Sequence, residues 1–119
     1  MAAPNIVISD NLSFSHISLV QFALTPAAAG AATATEQTFT VNGLTLGDGI
    51  LNGQDQILAI RKAAAQVGLS LYARVSAENT LAITFINPTA ASITPTAGEL
   101  YTISVWRPSM MPTATAIKV

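Results

Sequence analysis

The chain lacks cysteine altogether and carries little charge. Without cysteine it has neither disulfide bonds nor thiolate metal sites, and its redox compartment cannot be read from cysteine usage. Charged residues make up 9% of the chain, against about a quarter in ordinary domains, and the formal net charge is -1. The five basic residues are scattered, so no stripe exists to neutralise a run of phosphates: Arg61, Lys62, Arg74, Arg107 and Lys118. We therefore expect no nucleic-acid partner.

The chain also lacks a long apolar run. Its most apolar stretch lies within residues 11–35, where Gln21, Thr25, Pro26 and Gly30 interrupt it well short of the ~20 residues that cross a bilayer. A secretory leader starts with basic residues, whereas Asp10 precedes this stretch. The sequence predicts no membrane partner. A surface so poor in charge is typical of a protein covered by other protein, or of a domain whose uncharged polar surface suffices.

Short alternating segments dominate what is present. In 119 residues, about one domain in length, the segments EQTFTV, LSLYARVS, LAITFIN and ELYTISVWRP alternate apolar and polar residues. The second and third flank the break Ala77–Thr80, the pattern of a β-hairpin. We predict an all-β fold, an antiparallel β-sandwich that is jelly-roll-like, with extended N- and C-terminal arms. Residues 1–34 would form N-terminal strands and an Ala-rich connecting arm, 35–108 the sandwich body, and 109–119 the C-terminal arm.

Two segments are less regular. Phe14–Leu24 has no clean two-residue period, which indicates a strand buried on both faces or one carrying a bulge. Asp55–Gly68 fits a helix by propensity, with Asp55 as its N-cap, yet Ile57, Leu58 and Ile60 also fit a short strand. Periodicity alone leaves both structures open for this segment.

Residue types that carry chemistry are sparse. Asp10, Ser13, Ser15 and His16 supply the members of a hydrolase triad, but known triads converge from separate elements, and no G-x-S-x-G elbow is present. A glycine-rich stretch at Asp48–Asp55 lacks about half the oxygen ligands of a calcium loop. We predict no enzyme activity, no cofactor and no metal.

One resemblance covers about two thirds of the chain. TEQTFTVNGLTLGDG at residues 35–49 and ARVSAENTLAITFINPTAASITPTAGELYTISVWRP at residues 73–108 resemble small structural proteins of tailed bacteriophage virions, the decoration, cement or head-fibre proteins. In such sequences the intervening segment looks like a strand followed by a loop, which would make 56–62 a strand and 63–68 a loop. GILNGQ looks like an insertion, and SMMPTATAIKV extends past the point where such sequences tend to stop.

The resemblance implies a non-enzymatic capsid decoration or cement protein. It would dock on the outer surface of the phage capsid and bridge neighbouring subunits, with the major capsid protein and further copies of itself, as a dimer or trimer, as partners. An alternative is a tail-fibre or spike domain that oligomerises and binds a host-surface glycan. We expect interface contacts from the N-terminal segment, the end of the body and the C-terminal arm: Phe14, His16, Trp106, Arg107, Met110, Met111, Ile117 and Val119.

Overall fold

A computed structural model describes residues 15–47 and 53–108 of the chain. These residues form six strands and no helix: β1 (Ser15–Leu24), β2 (Thr33–Thr40), β3 (Gln56–Lys62), β4 (Ser70–Ala77), β5 (Thr80–Asn87) and β6 (Glu99–Pro108). The all-β prediction is confirmed. Gln56–Lys62 is a strand, so Asp55 does not cap a helix.

The strands form two antiparallel sheets of three strands each, ordered β1-β6-β3 and β2-β5-β4. The inward faces of both sheets contribute to one hydrophobic cluster. Phe85 and Ile83 of β5 meet Tyr101 and Ile103 of β6 there, and all four are fully buried. The expected alternation in β6 is confirmed, because Tyr101, Ile103 and Val105 are buried while the residues between them are half-exposed.

The predicted hairpin is formed by β4 and β5. Asn79 occupies its turn with a φ of 57°, a left-handed conformation that asparagine tolerates better than most side chains. The turn also holds the loop after β2, because the N–H of Asn79 donates to the carbonyl of Leu44 (2.8 Å) and the Asn79 side-chain oxygen accepts from the N–H of Gly43 (2.8 Å). The hairpin therefore anchors a neighbouring loop as well as reversing the chain.

The Ala-rich connector is fixed to the loop between β5 and β6. Ala29 and Ile93 exchange two backbone hydrogen bonds of 2.8 and 2.9 Å, and Ala29 is fully buried. The buried amide of Asn87 donates to the carbonyls of Ala29 (3.0 Å) and Ala91 (2.8 Å). This buried side chain thus fastens the connector to the loop after β5, and it shares the Ala29 carbonyl with the N–H of Ile93.

β1 differs from the expectation of burial on both faces or a bulge. It pairs with β6 along its whole length without a register shift. From Ile17 onward its residues alternate between exposed and half-buried, with Val20, Phe22 and Leu24 against the core. Ile17 and Leu19 on its other face are apolar but exposed, so apolar residues occupy both faces and the sequence shows no two-residue period.

Candidate functional site

The outward surface of the β1-β6-β3 sheet is the main candidate. The register places Ile17 opposite Trp106, Leu19 opposite Ser104 and Ala23 opposite Leu100. Directly paired residues in antiparallel strands share a face. We call this surface the outer face; it comprises Ile17, Leu19, Gln21, Ala23, Gln56, Ala59, Arg61, Leu100, Thr102, Ser104 and Trp106. Ile17 is 64% exposed, Leu19 75% and Leu100 45%, so large apolar side chains stand in solvent there.

Arg61 is the only charged residue of the outer face. The strands do contain other charges, but Glu99 and Arg107 of β6 and Lys62 of β3 occupy the opposite parity. Within 15–47 and 53–108, ion pairs take up six of the eight charged residues: Lys62–Glu99, Arg74–Glu36 and Arg107–Asp55. Most charged side chains of the described residues are therefore paired with each other, and the outer face is left nearly neutral.

Arg107, one of the predicted interface residues, forms a strut at the end of the core. Its Nε and Nη2 atoms donate to the two carboxylate oxygens of Asp55 at 2.7 Å each, and Nη2 also donates to the carbonyl of Gly43 at 2.6 Å. The Asp55 side chain is fully buried and accepts a further bond from the N–H of Thr45 at 3.1 Å. The hydrogen bond to Asp55 raises the pKa of Arg107 above its ordinary value. The guanidinium thus ties β6, the start of β3 and the loop after β2 together.

A second buried pair lies at the other end of β3. Lys62 donates to Glu99 and to the carbonyl of Ala64 (2.9 Å), and Glu99 also accepts from the N–H of Ala64 (2.6 Å). The bond from Lys62 holds the pKa of Glu99 below its ordinary value. The Lys62 ammonium lies 5.9 Å from the centre of the Tyr101 ring, and burial raises the pKa of that phenol to about 12. These contacts join the end of β3 to the start of β6.

The third pair covers the outward surface of the other sheet. Arg74 of β4 and Glu36 of β2 lie on either side of β5 and bond through two contacts of 2.8 and 3.0 Å. The β5 residues beneath them are Ala82 and Thr84, which are buried although they point away from the core. The bond with Arg74 lowers the pKa of Glu36. The two sheets therefore present unlike surfaces: one is bridged by an ion pair, and the other has Arg61 as its single charge together with exposed apolar side chains.

The other predicted interface residues divide into two groups. Trp106 is half-buried beside Ile17 on the outer face, and His16 pairs with Arg107 across β1 and β6. Phe14, Met110, Met111, Ile117 and Val119 lie outside the described residues. Sequence reasoning missed Ile17, Leu19 and Leu100, because β1 has apolar residues at both parities and nothing in the sequence shows which parity the core takes.

Two further features bear on function. Within the described ranges, no three His, Cys, Asp or Glu residues cluster as metal ligands would, and no helix of the length and apolarity of a membrane span occurs. The tyrosine and tryptophan side chains on which a glycan could stack are dispersed among the described residues: Tyr101 is buried, while Tyr72 and Trp106 point outward from opposite sheets. The described residues therefore offer no two neighbouring exposed aromatic rings on which a sugar ring could stack.

A groove of about 270 Å³ lies between the free edges of the two sheets, lined by residues 57–60 of β3 and 71–73 of β4. A second cavity of about 200 Å³ lies between β1 and the loop after β2, with Val20, Val41, Leu44 and Val105 among its lining residues.

Comparison of the chain with protein-family models, curated proteins and solved structures gives no match.

Proposed function

We propose that this chain is a non-enzymatic structural protein of a tailed-phage virion, a decoration or cement protein on the outer capsid surface. Its partners are the major capsid protein and further copies of itself. The observation that carries the proposal is the outer face, where Ile17, Leu19 and Leu100 are exposed and Arg61 is the only charge. Burial against another protein removes this apolar area from water without stripping hydration from charges.

The size of the outer face fits docking at many equivalent sites. A ten-residue strand is about 33 Å long and three strands span about 14 Å, so the face offers roughly 460 Å² of flat area. Stable pairwise complexes bury about 800 Å² per partner. A single contact through this face is therefore weak, and repeated sites on a shell strengthen it through multivalency.

The strand order supports a β-sandwich of jelly-roll type. The first strand pairs with the last, the second with the fifth, and the third and fourth take the remaining edges of the two sheets. A chain wound as a double layer gives this order, and jelly-roll domains are frequent in capsid proteins. Arms formed by the N-terminal residues and by 109–119 complete the proposal.

The test is rebinding to capsids stripped of this protein, with Leu19→Glu as the variant. Leu19 is 75% exposed, so burying it on the shell contributes about 1–2 kcal/mol, and a carboxylate placed there adds a desolvation cost. We expect binding to weaken by about tenfold or more. Val67→Glu is the matched control, because Val67 is 99% exposed in the loop between β3 and β4 and is not part of the outer face.

Both variants are expected to melt like the parent chain, since neither side chain contributes to the core. Equal rebinding by Leu19→Glu and Val67→Glu would show that the outer face is not the docking surface. Failure of the parent chain to rebind at all would refute the decoration function.

A further inference from the structure

The groove between β3 and β4 is an open side of the molecule. Among residues 15–47 and 53–108, β3 pairs as a strand only with β6 and β4 only with β5, so each has an edge without a strand partner. On the β4 side, the carbonyl of Val75 accepts from the side chain of Gln54 at 3.1 Å. Leu58 and Tyr72 are each 56% exposed at the groove, and Ile57, Ile60 and Leu71 below them are only partly buried against the core. Unpaired strand edges beside apolar side chains are the features to which an extended segment adds as a new strand.

The end of the chain has the sequence such a segment needs. In TATAIKV (residues 113–119), the alternate positions Thr113, Thr115, Ile117 and Val119 are all β-branched. β-branched residues favour strands, and alternate residues of a strand share a face. The segment is seven residues long, as is β3. It can lie along the whole of β3 with those four side chains directed into the groove.

We propose that residues 113–119 of a second copy add as an antiparallel strand to the free edge of β3 and close the groove. Pro108 ends β6 beside the start of β3, where its carbonyl accepts from the N–H of Gly53 at 3.0 Å. From there the eleven residues 109–119 reach at most about 40 Å when extended, enough to meet a neighbouring molecule.

A second copy fits better than the same chain. To reach the outer edge of β3 in its own molecule, the chain would have four residues, 109–112, in which to cross the stretch 53–55 that leads into β3. Connections that cross in this way are avoided. The segment would then run parallel to β3, whereas all four strand pairings described here are antiparallel.

The inference rests on the proposed self-association, and the absence of cysteine allows a direct test on the full chain. With residues 113–119 aligned antiparallel to residues 56–62, Ile117 lies opposite Leu58. Leu58→Cys chains are therefore mixed with Ile117→Cys chains, without capsids and with dissolved oxygen as the oxidant, and disulfide formation is followed on non-reducing gels. Two cysteines that strand addition brings together have an effective concentration near millimolar. At micromolar protein, their disulfide should therefore form about tenfold or more faster than one between cysteines that meet only by diffusion. Val67→Cys mixed with Ile117→Cys is the matched control, because Val67 is 99% exposed in the loop between β3 and β4 and belongs neither to the outer face nor to a strand edge.

Competition supplies a second measurement. Excess parent chain should slow the linkage by occupying both the groove and the arm, whereas excess Thr115→Pro chain should slow it less, because proline lacks the N–H needed for strand pairing and only the groove of that variant still competes. Equal linkage rates for the Leu58 and Val67 mixtures would overturn the inference. So would a Leu58→Cys/Ile117→Cys double variant that links only within one chain while the mixed single variants stay unlinked.

Capsid rebinding by the same variants separates this inference from the proposed function. If the mixtures do not link but the parent chain rebinds stripped capsids, only the strand-addition site is wrong. If the parent chain does not rebind, the decoration function fails, whatever the linkage result.

Discussion

Replacing Arg107 with alanine is expected to lower the free energy of unfolding by about 3–5 kcal/mol, because it leaves the buried Asp55 carboxylate without its countercharge. The Asp55 side chain is 0% exposed and would retain only the 3.1 Å bond from the N–H of Thr45. The carbonyl of Gly43 would lose its 2.6 Å donor as well.

Asp55→Ala should cost less, about 1.5–3 kcal/mol, the range for hydrogen bonds to charged groups. The Arg107 side chain is 44% exposed, so its guanidinium can be rehydrated once the carboxylate is gone. The order of the two losses, with Arg107→Ala the larger, follows from this difference in burial.

Urea denaturation followed by the fluorescence of Trp106, the only tryptophan, measures both losses from the shift in midpoint. Arg74→Ala is the matched control, because Arg74 also makes two bonds to one carboxylate, but the two side chains are 59% and 37% exposed. It should destabilise the protein far less, since solvent screens exposed pairs. If Arg107→Ala cost no more than Arg74→Ala, or less than Asp55→Ala, the strut assigned to Arg107 would be wrong.

Three further changes test other parts of the fold. Phe85→Ala should cost about 3–5 kcal/mol in the same denaturation assay, because Phe85 is fully buried; a loss below about 1 kcal/mol would place it outside the core. Gly68→Ala should destabilise by more than about 1 kcal/mol in thermal melts, since Gly68 has a φ of 87° and an added Cβ would lie 2.7 Å from a methyl of Thr89; an unchanged melting temperature would contradict that geometry. Glu99 has a folded-state pKa below its ordinary value of 4.5, so its stabilisation is present above that pH and is lost as the pH falls through the lowered pKa. Glu99→Gln should therefore flatten the acid side of the stability profile, and an unchanged acid slope would contradict the pairing with Lys62.

The strands of the last third were predictable from the sequence because apolar residues that face the core alternate with residues that face outward. In β4, Leu71, Ala73 and Val75 face inward while Tyr72 and Arg74 are exposed, as the period of two requires. β5 is different, since Ala82 and Thr84 are buried on the outward side as well. β5 is the central strand of its sheet, and the Arg74–Glu36 pair across it joins residues 38 positions apart, so no local pattern reveals these contacts.

The candidate surface was less predictable. Which alternate residues of β1 face the core depends on the register of β1 with β6, a strand from the far end of the chain: Ile17 lies opposite Trp106. The fate of Asp55 was hidden in the same way: propensity favoured a helix cap, whereas a bidentate contact with Arg107, 52 positions later, places the residue at the entrance to a strand. Local propensity yields to such tertiary contacts because burial and ion pairing outweigh the tenths of a kcal/mol that separate most residues on a propensity scale.

The contrast between the two outward surfaces gives the molecule a direction. Arg74 and Glu36 form a hydrated bridge over one sheet, while Ile17, Leu19 and Leu100 project from the other. At a boundary between water and an apolar phase, such as an air–water interface or a methylated sensor chip, the two sides differ in wetting. Contact of the outer face with the apolar phase lowers the interfacial free energy, whereas the charged Arg74–Glu36 surface is more stable when it faces water. Adsorbed molecules would therefore orient alike, with the Arg74–Glu36 bridge directed to the liquid in every copy, so that a label placed on β4 stays accessible and one placed on β1 is masked.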